Sequence, residues 1–542
     1  MIRPLVLTLG VLALTTASGP RFYGDDPLAR EPESRDAAAA APEDIGLMYD
    51  LAINLFGTSR RTPSNVHAKN VNTIDEVPDS GWFTNRVLPR TVGVQDLVRG
   101  PNVGAPPNPE KWTITREKSA GFSPGFTARD GNGETWFVSF DSPSNPEGAT
   151  AAIVVASKFF WALGYNQVET FITTVDPRRL TIDPKATVRR PNGKRTPMRQ
   201  DDVDAVLERA AKSADGTYRV AAGRLLPGKV LGPFRYEGTR PDDPNDVVEH
   251  EHRRELRALR VFGAWTNLTD LKAGNTLDTL VTVDGKAVVR HYLQDVGSTF
   301  GIGANGPHDW DEGFEYFYEN GPSRRRLLSL GLALRPWQTT HYTEYPSIGR
   351  FESDAFDPKT WKPHAPTTAY MEMQPDDAFW AARRVAAFDD GLIRAIVHEG
   401  RYSDPAAEQH LSTLLIQRRD KIARAYLSDV NPLVNPKLSA AGELTFENAA
   451  TAAASAAAPS GYAAHWARFD NASGSTEPLG DSRGAVPSLK APRDLPSASG
   501  DMVQIEVTGE GAGHPEWQRP VRLHFRRAAE GWTLVGLDRS AR

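Results

Sequence analysis

The chain has 542 residues, 39% hydrophobic and 24% charged, which is enough for two or three domains with full cores and excludes a wholly disordered protein. A net charge of −5 excludes a global attraction to nucleic acid or an anionic membrane, and basic clusters such as Arg189-Arg190 and Arg324-Arg325-Arg326 read as solvated faces or turns. Cysteine is absent, so disulfides, thiolate metal sites and a cysteine nucleophile are excluded as well.

Residues 1–19 read as an export signal. Arg3 gives a positive start, 5–14 an apolar run too short for a comfortable membrane span, and Thr15-Thr16-Ala17 or Ala17-Ser18-Gly19 a cleavage site. The expectation is a periplasmic or secreted protein without membrane insertion after cleavage. Residues 18–45, rich in Pro, Asp, Arg and Ala, are expected to be a flexible leader. A short helix over 45–56, an irregular apolar stretch over 70–90 and a Pro/Gly loop over 100–109 complete an N-terminal extension spanning 20–110.

From Lys111 the pattern turns to strands, at 112–115, 126–129 and 135–140, with Asp130-Gly131-Asn132-Gly133 as a hairpin turn. A helix over 147–163 stops at Gly164, and a strand follows at 168–174. Residues 176–216 are charged, with one helical stretch at 201–211. Strands at 218–221 and 229–236 lead to a polar turn at 241–246. The next helix, 247–265, carries Leu256, Leu259, Phe262 and Trp265 as an apolar row. Beyond it, 279–283 and 287–293 flank Asp284-Gly285, a type I′ hairpin signal. After an irregular stretch at 300–365, helices are expected at 378–388, 390–399 and 406–427. The tail is β-rich, with strands at 443–446, 462–469, 502–507, 521–525 and 532–537 around an Ala/Ser-rich run.

The informative stretch is Asp270-Leu271-Lys272-Ala273-Gly274-Asn275, followed across the hairpin by Asp295-Val296-Gly297. A carboxylate, a cation and further oxygen ligands are what phosphoryl transfer requires around a hydroxyl acceptor, a moving phosphate and magnesium. Asp and Asn also favour a capped turn after a helix. His250-Glu251-His252 is a weaker metal candidate: histidines two apart on a helix do not share a face, and surface placement is expected. The chain carries no G-x-S-x-G, H-E-x-x-H or dinucleotide fingerprint.

On the D-x-K-x-x-N loop, the helix before it, the hairpin after it and the D-x-G beyond, residues 111–433 resemble the atypical protein-kinase-like superfamily. The style is that of spore-coat, secretory-pathway and toxin-type kinases, and of exported bacterial proteins with this layout and a β-rich tail. The resemblance implies an α+β chain: a bilobal protein-kinase-like core, with N-lobe 111–240 and helical C-lobe 241–438, then an all-β, sandwich-like domain over 439–542. It implies that Asp270 orients or deprotonates the acceptor hydroxyl and that Lys272 neutralises the transferring phosphate. By the same resemblance Asn275 and Asp295 hold Mg2+, and ATP is the nucleotide.

Two expected partners are missing. Ser139 stands where the third strand of a kinase carries its phosphate-binding lysine, and Ile153 where the following helix presents a glutamate. Losing both charges is self-consistent, since an unpaired buried charge is costly. Glu147 is the remaining acid of that helix. Lys118, in the loop before Gly121, is the candidate to reach the same phosphates, so Lys118, Gly121 and Ser139 are the expected nucleotide-binding positions. Lys158 lies on a different helix face, and a strand register shifted by a residue stays open. The expected function is an exported kinase-like protein acting on an unknown hydroxyl-bearing or protein partner. The alternative is a pseudokinase that serves as a binding or scaffold protein.

Overall fold

In the computed structural model, residues 19–118, 123–190, 192–332, 334–511 and 513–539 are described, and they form a mixed α+β chain. The expected signal segment 1–18 and the loop residue Gly121 lie outside them. Two short helices come first, α1 (Leu47–Phe56) and α2 (Val94–Arg99). The strands expected after Lys111 are β1 (Trp112–Glu117), β2 (Gly125–Arg129) and β3 (Thr135–Phe140). The turn between β2 and β3 works as its residues require: Asp130 Oδ1 accepts the N–H groups of Asn132 and Glu134, and Gly133 takes a φ of +82°.

Helix α3 (Gly148–Leu163) is buried on nearly every face, between the sheet and the helices that follow. Gly164 ends it at φ +129°, and the Phe83 ring occupies the space a side chain there would need. Then come β4 (Thr170–Val175), β5 (Leu180–Arg189), β6 (Arg195–Pro197), α4 (Gln200–Leu207) and β7 (Tyr218–Arg224). Among the described residues they complete a seven-stranded sheet in the order β4-β7-β3-β2-β1-β5-β6.

Strand β5 corrects the expectation of a merely charged stretch over 176–200. It pairs parallel with β1, Trp112 opposite Leu180 and Ile114 opposite Ile182. Near the sheet edge it is largely solvated and contains Pro184, so it carries no alternating signal.

The helix expected over 247–265 is shorter. A 3-10 turn at His250–His252 and an extended Arg253 precede α5 (Arg254–Thr266), because Arg253, Arg254 and Arg257 turn inward to buried carboxylates. The expected row Leu256, Leu259, Phe262 and Trp265 is buried. A small sheet joins β8 (Lys229–Gly232) to the hairpin of β9 (Thr276–Val283) and β10 (Lys286–Leu293), with Asp284 and Gly285 at φ +49° and +79° as a type I′ turn demands.

Helices α6 (Asn320–Leu328), α7 (Thr368–Met371), α8 (Pro375–Ala386), α9 (Asp390–His398) and α10 (Pro405–Tyr426) follow. The main apolar core joins α3, α5, α8, α9 and α10 through Phe159, Trp265, Trp380 and Leu415. In the tail, Gly461–Phe469, Thr476–Gly484, Met502–Glu510, Val521–Ala528 and Gly531–Asp538 form a five-stranded sheet. The tail packs onto the helical region: Asn431 Nδ2 donates to the carbonyls of Val507, Trp517 and Arg519, and Trp517 enters the main core.

The expected flexible leader is instead a strap. Phe22 packs against Phe469 and His524 of the tail. Further on, Ala37 N–H donates to Ala287 O of β10 and Glu43 N–H to Leu231 O of β8, so the strap covers both edges of the small sheet. Its composition reads as disorder because its partners lie in distant strands and in the tail, which no local pattern records.

Candidate functional site

Helix α5 ends at Asn267, whose φ of +57° turns the chain and whose Oδ1 accepts from Trp361 Nε1 at 2.8 Å. The turn delivers Asp270 to the surface between buried Leu268 and Leu271. Lys272 Nζ pairs with Asp270 Oδ2 at 2.7 Å, and Asn275 Nδ2 donates to Asp270 O at 2.8 Å. Asn275 also joins this loop to the next one. Its carbonyl accepts from Gln294 N at 2.9 Å and Asp295 N at 3.0 Å.

Asp295 is exposed, and its Oδ1 accepts the Gly297 N–H at 3.1 Å. A Cβ on Gly297 would lie 2.6 Å from Ile153 Cγ1 of α3, so glycine is required here for the close approach of that side chain. Ile153 therefore sits against the D-x-G turn, at the place sequence reasoning assigned to a lost glutamate.

Lys118 completes the cluster. Its Nζ hydrogen-bonds Ser123 Oγ and lies 3.5 Å from Ser139 Oγ on β3. Burial pushes its ammonium below the ordinary lysine value, and the Asp295 carboxylate acts on it in the opposite sense. The fold thus links Lys118, Ser139, Ile153, Asp295, Asn275, Asp270 and Lys272, drawn from five separate stretches of sequence.

Other candidates are placed elsewhere. Glu147 accepts the Ser403 N–H at 2.9 Å, beside the start of α10, so it is not the counterion of Lys118. Lys158 Nζ donates to Val98 O and Arg99 O at the end of α2, and pairs with Glu399. The His250-Glu251-His252 trio is not a surface feature. His250 is buried with Nε2 2.7 Å from Asp246 Oδ2, Glu251 accepts from Gly238 N, and His252 meets Arg257. Three different partners leave no shared metal site, and the described residues contain no His/Cys/Asp/Glu group able to hold a metal by protein ligands alone.

Sequence reasoning missed the support behind Asp270. Thr269 Oγ1 donates to Glu312 Oε2 at 2.7 Å, and His364 Nε2 lies 2.6 Å from the same oxygen. His308 stands 3.3 Å from Glu312 and reaches Ser298 Oγ at 3.0 Å, linking the two loops. On the other side, the Asp50 carboxylate of α1 accepts the Ala273 N–H, and Leu47 packs against Gly274. Only folding unites positions this far apart, and no spacing could have announced them.

Burial would raise the Glu312 carboxyl, but its bonds to His364 and Thr269 and the nearby His308 bring it down to about 2. Burial pushes His308 down to about 4, from an ordinary value of 6.5. Between those two values the native state binds fewer protons than the unfolded chain, so acidification through that window destabilises the fold. The His308 ring resonances in a pH titration should stay at their neutral-imidazole positions at pH 5.5; a midpoint near 6.5 would show that the ring is not held in this cluster.

The described residues contain no helix long and apolar enough to cross a membrane. No protein-family model matches the chain, and no curated protein matches it. Among solved structures, a Golgi casein kinase with Mn/ADP bound aligns at a TM-score of 0.31 and 10% identity, over 61% of this chain and 74% of that one. A second structure of the Golgi casein kinase aligns at 0.31 and 12% identity, over 74% and 95%.

Proposed function

We propose that the chain is a kinase-like protein that binds a magnesium nucleotide between β3 and the Asp270–Asp295 loops and passes its terminal phosphoryl group to a hydroxyl acceptor. The observation that carries this reading is the position of Lys118. Its ammonium lies beside Ser139 and within the field of Asp295, whose backbone N–H is bonded to the Asn275 carbonyl. A cation supplied from the β1–β2 loop stands in for the one missing from β3.

The residues present suit magnesium. Asn275 commits its Nδ2 to Asp270 O, so its Oδ1 is the atom presented to a cation, and the exposed Asp295 carboxylate adds a second hard oxygen donor. Bound there, the ion neutralises charge on the nucleotide phosphates. Asp270 then orients the acceptor hydroxyl and takes its proton, while Lys272, already at Asp270, screens the transferring phosphoryl oxygens. Export, carried by Arg3 and the apolar run at 5–14, belongs to the same proposal.

A non-catalytic nucleotide-binding or scaffold role is favoured by one feature. Ile153, packed against Gly297, stands on α3 where a kinase helix would present its glutamate. A thermal-shift titration with magnesium-ATP, followed by a phosphate-transfer assay, separates the two readings. Stabilisation with transferred phosphate supports the kinase, and stabilisation without product supports the scaffold. Lys118→Ala should weaken nucleotide affinity by about tenfold to a hundredfold, the worth of a charge-assisted bond to phosphate. An unchanged affinity would remove Lys118 from the site.

A further inference from the structure

The segment after α6 is unlike the rest of the surface. Leu327, Leu328, Leu330, Leu332 and Leu334 are between 73% and 90% exposed. Such side chains stand largely clear of the protein, and a run of five is far from the scattered exposed apolar residues of an ordinary surface. A second apolar stripe, on α1, reaches Tyr318 just before α6. Tyr49, Ile53 and Phe56 share one face of α1 at helical spacing and are exposed, and the Phe56 ring lies 5.4 Å from Tyr318.

The charge around the leucines has one sign. Residues 320–343 contain Arg324, Arg325, Arg326 and Arg335 and no Asp or Glu, in a chain whose net charge is −5. Glu315 pairs with Arg335 and Glu319 with Lys362, which leaves the exposed Arg324, Arg325 and Arg326 unpaired by any carboxylate among the described residues. The sequence alone reads this trio as a solvated turn; the five leucines beside it change that reading.

We propose that this face, made by the 327–334 leucines and the α1 stripe and flanked by the three arginines, docks on an anionic lipid surface. Protruding leucines need a medium that closes round them, as the headgroup and acyl boundary does, and arginines at their rim meet lipid phosphates while their stems stay in apolar contact. Because α1 also packs on Ala273 and Gly274, docking would hold the Asp270 loop close to the lipid plane. The inference does not depend on the phosphotransferase reading.

The absence of cysteine permits a local test on the full chain. Leu332→Cys, labelled with an environment-sensitive fluorophore, should brighten and shift to the blue with phosphatidylglycerol–phosphatidylcholine vesicles and not with phosphatidylcholine alone. The same label on Val486→Cys, an exposed site in the tail, should not respond. Reversing the trio (Arg324→Glu, Arg325→Glu, Arg326→Glu) should lower partitioning by more than about a hundredfold, since losing the three positive charges alone costs roughly fivefold each. These side chains are exposed, so the fold should survive, as circular dichroism would check. The proposal is overturned by no response at Leu332, by an equal response to neutral vesicles, or by a response that survives charge reversal. Self-association of the chain without a vesicle response would likewise overturn it and give the face to a second copy.

Discussion

Asp295→Ala abolishes the stabilisation that saturating magnesium-ATP gives the wild-type chain. At a hundredfold excess of ligand over Kd, that stabilisation is about 2.7 kcal/mol, read as an upward shift of Tm. Asp295 is exposed and bonds only locally, to the N–H of Gly297, so its removal leaves the core untouched. The loss should therefore appear in the nucleotide-bound state alone, with the ligand-free Tm within a degree or so of wild type. Equal stabilisation of both proteins would put the metal elsewhere and sink the proposed site. A fall in the ligand-free Tm would instead mark Asp295 as a structural cap.

The second large effect belongs to the scaffold beneath the site. Arg254 is buried at the start of α5, with Nε 2.9 Å from Asp377, Nη2 2.7 Å from Asp376 and Nη1 2.6 Å from Asp75. Arg257 also pairs with Asp377, at 3.0 Å. Despite its burial, this company of carboxylates holds the Arg254 guanidinium above its ordinary value. Arg254→Ala strands carboxylates in a dry interior and should cost about 3–5 kcal/mol, measured by urea unfolding. Arg254→Met with Asp377→Leu should recover little of that loss, because buried Arg257 then loses Asp377, its carboxylate partner. If Arg254→Ala costs under about 1 kcal/mol, the cluster is wetter than its burial indicates.

These two residues also mark where sequence reading succeeds and where it stops. Asp295 was legible because the hairpin before it has local signals, Asp284-Gly285 and the alternation on either side, which place the D-x-G in a defined context. Arg254 was not. It lies at the head of an amphipathic helix, where arginine ordinarily reads as solvated, and its partners come from 75 and from 376–377. The same limit hid β5, whose pairing with β1 is parallel and near an edge, and the strap over 19–45, whose partners lie hundreds of residues away.

By itself the sequence determined which loops carry chemistry-bearing side chains. Asp270, Lys272, Asn275 and Asp295 stand at turns whose local residues dictate the turn. Helix periodicity alone already preferred Lys118 to Lys158. Tertiary structure set their surroundings: the Lys118 ammonium lies 3.5 Å from Ser139 Oγ, whereas Lys158 bonds the end of α2 and Glu147 the start of α10. The physical reason is range. Turns and periodic faces are set by neighbours in the chain, whereas the partner of a buried charge is set by which distant segments share its desolvated space.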